Sequence, residues 1–312
     1  MATANQTIMA KADMEVADLI ADGGYLQAEQ SEKFVVDMIK ASVLMSMINV
    51  QTTKSHTKQI DKVGISGRVL RPGTSGHALA AADRVKPTTD NETLHTHLMK
   101  SEINLNDEVL EDNIEGGNFK TTVMAMMADH TALDLDDLLA NGDTTSADPL
   151  LALLDGMIVS ATSHIVNAAG VPIAKSMLKD AIKAMPSQYN RMKRNQRFLT
   201  SEDAQIDYHD YLADRATVLG DKKVQDDSPD RYGNRAITGI PVFPDDLGVG
   251  SDETAVLLLD PKLAIWGFWR KVKVETDRDI RTGEWIMVTS LRGGFLYKEE
   301  DAVVKIIGVK TQ

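Results

Sequence analysis

Between Glu29 and Ile48 the apolar residues Phe34, Val35, Met38, Ile39, Leu44, Met47 and Ile48 recur at three- and four-residue steps. That spacing lines one face of a helix, so the segment predicts an amphipathic α-helix. Residues 1 to 28 show no such period and are interrupted by "DGGY", which predicts an extended arm. The pattern changes at residue 51. "TKQIDKV" and "TLHTHLMKSEINLN" alternate polar and apolar positions as strands do, and the stretch between them is studded with glycine. Residues 51 to 105 therefore predict a long two-stranded hairpin with a flexible tip. A strand arm of ~15 residues would reach roughly 50 Å. Two strands alone are marginally stable, so such an arm implies a second surface to hold it, most simply a neighbouring subunit.

Further along, Phe119, Val123, Met126, Met127, His130, Leu133 and Leu138 step along one helical face, and Asn141 with Gly142 supplies a stop. A helix of ~22 residues would be ~33 Å long. "VPIAKSMLKDAIKAMPSQY" predicts another, with Pro172 in its first turn, Ile173, Met177, Leu178 and Ile182 as its apolar face, and Pro186 at its end. "SEDAQIDYHDYLADRA" predicts a third, capped by Ser201. The last eighty residues turn to short β-branched or aromatic runs: "IPVF", "AVLLLD", "KVKVET", "EWIMVTSL", "GFLYK" and "AVVKIIGV", with a further strand at "RFLT". Helix-rich then strand-rich order indicates an α+β fold.

Composition narrows the functional classes. The 312 residues contain no cysteine, which removes disulfides, thiolate metal sites and thiol nucleophiles. No run of ~18 apolar residues occurs, so no membrane segment is expected. The net charge of −12 argues against a sequence-independent nucleic-acid binder. "NRMKRNQR" is a local exception, gathering Arg191, Lys193, Arg194 and Arg197. It reads as a solvated helix end or a partner for acidic neighbours, with a nucleic-acid contact as the other reading.

Candidate chemistry is thin. His95 and His97, near Asp90 and Glu92, form an H-x-H pair that a metal could share if both lay on one strand, although two ligands do not complete a site. "GISG" and "GTSG" lack the residues of a phosphate loop, and Ser75 with His77 lacks the nucleophile-elbow pattern. Asp134, Asp136 and Asp137 lack the calcium-loop spacing and are expected on the solvated face of the long helix. The 15 methionines, and the cluster of Trp266, Phe268, Trp269 and Trp285, are expected in the core or at subunit interfaces. No catalytic residue, cofactor or metal is expected.

"NRAITGIPVFPDDLG", "AVLLLDPKLAIWGF" and "KVKVETDRDIRTGEWIMVTSLRGGFLYKEEDAVVKIIGV" resemble, in that order and spacing, the end of major capsid proteins of tailed bacteriophages, which share the Hong Kong 97 fold. The resemblance covers about residues 148 to 312. It implies an N-terminal arm and first helix at 1–50, an extended E-loop at 51–105, a peripheral domain with a long spine helix at 106–155 and 268–312, and an axial domain at 156–267. Pro241 and Pro244 would bound a short axial strand, with Gly239 at its turn. The implied function is a shell of hexamers and pentamers around double-stranded DNA, assembled in the bacterial host cytoplasm and found in the virion. Arg68, Arg71 and Lys86 in the loop, with Asp134, Asp136 and Asp137 as acidic partners, are the expected inter-subunit contacts.

The type member of that family crosslinks its subunits between a lysine and an asparagine. The tip "GISGRVLRPGTSGHALAAADR" has no lysine, so that chemistry is expected to be absent. With little sequence ahead of the arm, a separate scaffolding protein and no N-terminal maturation cleavage are expected, alongside a portal and decoration proteins. An encapsulin-type compartment is the related alternative, and a metal-assisted hydrolase using His95 and His97 the distant one.

Overall fold

Ser42 is the first described residue, and its environment already ties two distant parts of the chain together. The computed structural model describes residues 42–65, 69–73, 75–106, 119–213, 230–243 and 252–311. The arm and most of the first predicted helix lie outside them. The hydroxyl of Ser42 accepts from the Met45 N–H at 2.9 Å, capping the short helix α1 (Val43–Met47). Strand β1 (Asn49–Thr52) follows, then β2 (Thr57–Gly64), β3 (Thr88–His95) and β4 (His97–Asn106). The long helix α2 (Phe119–Asn141) leads through α3 (Met157–Ser160) to β5 (Ile165–Pro172), α4 (Lys175–Ala184), β6 (Arg197–Thr200) and α5 (Glu202–Ala213). The chain closes with β7 (Arg231–Tyr232), β8 (Arg235–Gly239), β9 (Glu253–Leu259), β10 (Ala264–Asp279), β11 (Glu284–Tyr297) and β12 (Val304–Lys310). The fold is α+β, as the order of patterns predicted.

These strands form a four-stranded sheet in the order β1-β10-β11-β4, a six-stranded sheet in the order β5-β12-β9-β6-β8-β7, and the separate hairpin β2-β3. Side-chain alternation along β9 divides the interior. Leu257 and Leu259 face a core shared with α1, α2, Trp266 and Met287. Val256 and Leu258 face a second core with Leu178 of α4, Phe198, Tyr208 of α5 and Ile306. The six-stranded sheet is thus covered on both faces at its centre, which explains why β9 reads as one continuous apolar run.

Several expectations need correction. The hairpin ladder pairs Thr57 with His95 through to Gly64 with Thr88, so each strand is 8 residues long rather than a fifteen-residue arm. "HLMKSEINLN" instead forms β4 and pairs with β11. The break is Thr96, whose N–H and hydroxyl both donate to the His56 carbonyl, at 3.2 and 3.0 Å. Pro172 ends β5 opposite Lys310 rather than opening a helix, and α4 starts at Lys175. "IPVF" is a turn, closed by Phe243 N–H donating to the Ile240 carbonyl at 3.0 Å; the strand lies before it and ends at Gly239. Pro244 lies outside the described residues. "EWIMVTSL" and "GFLYK" are one strand of 14 residues. The closing strand β12 pairs with β5 and β9, so residues 304–310 join the sheet of segment 156–267 rather than the rest of 268–312.

Helix α2 has the predicted length, but its buried stripe is rotated. Val123, Met127 and Leu138 are buried as expected, together with Ala128, Ala132, Leu135 and Leu139, while Met126 and Leu133 are exposed. The alanines let neighbouring elements approach closely on that side, which a count of large apolar residues does not register.

One carboxylate fastens α3 to the closing strand. Glu300 accepts from the Thr162 and Ser163 N–H groups, both at 2.6 Å, and from the Ser163 hydroxyl. Desolvation pushes the Glu300 carboxyl up, but the hydrogen bonds from Ser163 and Thr162 outweigh it and hold the group below its ordinary value of 4.5. A depressed folded-state value contributes stability that is complete above the unfolded value and lost as pH falls through the folded one. Denaturation titrated from about pH 6 to pH 3 should therefore show wild type losing more stability below pH 4.5 than Glu300→Gln, whose side chain does not titrate. Parallel losses in the two proteins would refute this role.

Candidate functional site

The feature that distinguishes this molecule from a self-contained domain is the β2–β3 hairpin, which pairs with no other strand among the described residues. Its base is fixed. Leu94 is fully buried, and the Thr53 N–H donates to the Phe268 carbonyl at 2.6 Å. The seat for this base is a bare patch on the four-stranded sheet, where Gly267 of β10 lies directly opposite Gly294 of β11. A Cβ on Gly267 would overlap the Leu94 side chain, and one on Gly294 would overlap the His95 carbonyl. On the other face, a Cβ on Gly293 would strike the fully buried Trp266 ring. Beside the seat, the Arg292 guanidinium lies 4.6 Å from the centre of the Trp269 ring, and His56 meets the same ring edge-on at 5.5 Å.

Away from the base the hairpin meets solvent. Val63, Ile65, Val69 and Leu70 are exposed, Leu70 at 90%. Local ties organise the described part of the tip: Arg71 Nε lies 3.7 Å from Asp83 Oδ1, and Arg84 Nε donates to the Leu79 carbonyl at 3.1 Å. Lys62 pairs with Glu92 across the ladder at 3.3 Å. A second projection ends at Ile280 and Arg281, both exposed, beyond the paired β10 and β11.

The residues singled out from sequence are not brought together. Arg68 lies outside the described residues. Arg71 and Lys86 are on the exposed tip, Arg71 already facing Asp83. Asp134 is exposed, with its carboxyl raised by desolvation and by Asp137 against the lowering effect of His130. Asp137 accepts from the Asn141 side-chain amide at 2.6 Å. Asp136 departs from expectation: it is only 2% exposed and cannot be part of a solvated face. It accepts from the Ser42 hydroxyl and, at 2.8 Å, from the Val43 N–H. Burial raises its carboxyl, and the donors of Ser42, Val43, Leu44 and Met45 draw it back. Its work is to hold α1 against α2 within one chain.

His95 ends β3 and His97 begins β4, so the pair straddles the break at Thr96 instead of sharing one strand. Desolvation, then the neighbouring His56 and His95, hold the His97 imidazole below its ordinary value. Among the described residues no three His, Asp or Glu side chains group as metal ligands would. Sequence reasoning missed the three glycines Gly267, Gly293 and Gly294; the signals were "IWGF" and "RGGF" inside strand-like runs, where glycine marks a close approach.

No family model matches the chain. Over 310 residues it is 36% identical to the Bacillus subtilis (strain 168) protein named "Putative prophage capsid protein YqbE", spanning 98% of this chain and 99% of that one. The chain belongs to the phage capsid protein family. Its fold is similar to that of a solved chain in the satellite phage P4 procapsid that includes size determination (Sid) protein, at a TM-score of 0.63 and 12% identity over 100% of this chain and 99% of that one. It is similar also to the holo-SrpI encapsulin complex of Synechococcus elongatus PCC 7942, at a TM-score of 0.59 and 11% identity over 95% and 96% of the two chains. At such identities these likenesses concern the fold, which is the Hong Kong 97 type. The capsid protein is therefore a structural shell protein and not an enzyme.

The glycine seat yields a direct test on the capsid protein. Gly294→Ala should cost about 3 kcal/mol or more, because the new methyl meets backbone that cannot yield. Gly73→Ala, where a Cβ would touch nothing within 4 Å, should be close to neutral. Chemical denaturation of both variants measures this, and equal stabilities would remove the seat from the account.

Proposed function

We propose that the capsid protein assembles as hexamers and pentamers into the icosahedral head shell of a tailed bacteriophage, enclosing double-stranded DNA. The observation that carries this reading is the β2–β3 hairpin, anchored at its base and bare along Val63, Ile65, Val69 and Leu70. Exposed apolar residues at the far end of a two-stranded ribbon that pairs with no third strand among the described residues point to another surface that covers them. In a shell that surface is a neighbouring copy, and each modest contact recurs around a closed lattice, so the whole gains by multivalency. Arg71, Lys86 and Asp134 stand where such neighbours could be met.

In this reading residues 51–105 are the E-loop, α2 is the spine helix of the peripheral domain, and the six-stranded sheet with α4 and α5 is the axial domain. A separate scaffolding protein, a portal and decoration proteins complete the head, which is built in the bacterial host cytoplasm. The net charge of −12 suits an inner wall that lets DNA slide during packaging. An encapsulin-type compartment is the second reading, favoured by the fold likeness to the Synechococcus protein and disfavoured by the phage relative.

Electron microscopy of the purified full chain, concentrated with and without a crowding agent and a scaffolding protein, tests the proposal. Closed shells tens of nanometres across are the expected result, and DNA within shells from infected or induced cells distinguishes the virion from a cargo compartment. Leu70→Asp should lower shell yield about tenfold or more, since a charge would be buried in the lattice contact, while the melting temperature of the unassembled protein stays unchanged. Failure of the wild type to form shells under every condition would overturn the reading.

A further inference from the structure

Arg235 is a fully buried cation whose hydrogen-bond partners among the described residues are all neutral, an expensive arrangement in the interior. Its Nε donates to Gln196 Oε1 at 2.7 Å, one terminal nitrogen to Asn190 Oδ1 at 2.7 Å, and the other to the Gly233 carbonyl at 3.2 Å. Gln196 in turn donates to the Tyr189 carbonyl at 2.9 Å, and Asn190 reaches the carbonyls of Ile182 and Met185 at 3.4 and 3.3 Å. The bonds to Gln196 and Asn190 tie the two ends of one exposed turn, while the bond to Gly233 fixes the guanidinium within its own β-turn. Between the ties project Arg191, Lys193 and Arg194, with Arg197 just beyond. Among the described residues none of the four cations has an acidic partner. Arg235 therefore braces a loop that presents unneutralised positive charge in an otherwise acidic protein.

The complementary surface lies on the same module. Helix α5 buries Ala204 and Tyr208 and turns the opposite face outward, with Asp203 and Asp210 seven positions apart on it and the exposed Ile206 beside them. Strand β6, 4 residues long, separates the basic turn from the start of α5. It spans roughly 13 Å, beyond the Debye length of about 8 Å at physiological salt. The two charges thus sit at opposite ends of one strand, where they do little to neutralise each other and give the module a positive and a negative end.

We propose that the braced basic turn, residues 189–197, of one capsid protein docks against the Asp203–Asp210 face of α5 in the next copy, head to tail around the capsomer. This rests on the lattice reading above. A contact between different patches repeats around a ring and closes if the rotation allows, which is the arrangement a capsomer requires. Holding the turn rigid before contact removes the ordering cost that a solvated loop of long side chains would otherwise carry into the interface.

Charge exchange tests this in the full chain. Arg191→Glu with Lys193→Glu and Arg194→Glu, and separately Asp203→Lys with Asp210→Lys, should each lower shell yield about tenfold or more, because like charges then face each other. Combining all five substitutions should restore yield to within about threefold of wild type. Circular dichroism melts of the unassembled variants verify folding, and the neutral set Arg191→Gln, Lys193→Gln and Arg194→Gln supplies a second readout, in which the yield should lose its dependence on salt. Loss in both single sets without rescue overturns the contact. Unchanged shell yield with loss of retained DNA also overturns it and assigns the turn to nucleic acid. Absence of shells from wild type itself would fell the lattice reading, and this inference with it, and is told apart because no substitution is then needed to see it.

Discussion

The close approach of the hairpin base to the four-stranded sheet is the constraint on which the rest depends. Gly267 and Gly294 face each other across β10 and β11, and the space their missing side chains leave is filled by Leu94 and the His95 backbone. Gly293 clears the other face for Trp266, which belongs to the main core. Glycine within strands weakens them by itself. Here the loss is offset by the long ladder that precedes the window, since β11 pairs with β10 from Glu284 to Tyr297 and with β4 from Glu284 to Gly293. A hairpin that would be marginal alone thereby gains a fixed direction without a third strand among the described residues.

The second sheet solves a different problem with the same economy of elements. Its centre is covered on both faces, so β9 has no solvent side and its stability comes from two cores at once. The chain enters this sheet at β5, leaves it after β9 to build the β10–β11 pair, and returns in β12, which bonds to β5 in parallel and to β9 antiparallel. That return locks the two sheets into one body, and Glu300 fastens the point of return.

Sequence reasoning reached the elements whose signals are local. Helix α2 was legible because Asn141 and Gly142 stop it, and Gly142 packs so tightly that a Cβ would meet the Leu138 and Leu154 carbonyls. The cap at Ser201 was legible for the same reason: its hydroxyl accepts from the Ala204 N–H three residues on. Pro172 misled because a proline at a strand end and one in a helix's first turn look alike in one dimension. Asp136 was misplaced because its partner Ser42 is 94 positions away, and no helical period records that distance. The break between β3 and β4 was hidden because alternation runs unbroken through Thr96, although the strands on either side belong to different sheets. Gly293 and Gly294 lie where "EWIMVTSL" and "GFLYK" were read as two strands, and they mark a site of close contact within one.

A shell subunit has to keep its folding energy and its assembly energy apart, or neighbours could not be gained and lost without unfolding it. The residues here divide in that way. Leu94, Trp266 and the glycine seat lie inside the fold, so changes there alter folding first. Leu70, Val69 and Ile65 contribute nothing to their own core and are free to be spent on a partner. Between the two groups stands the paired ladder of the hairpin, whose fixed base sets its direction before any partner is met, so that part of the ordering cost is already met in folding. Weak contacts made by pre-directed arms can then add up across a lattice while each remains reversible, which is the condition for misplaced subunits to leave before the shell closes.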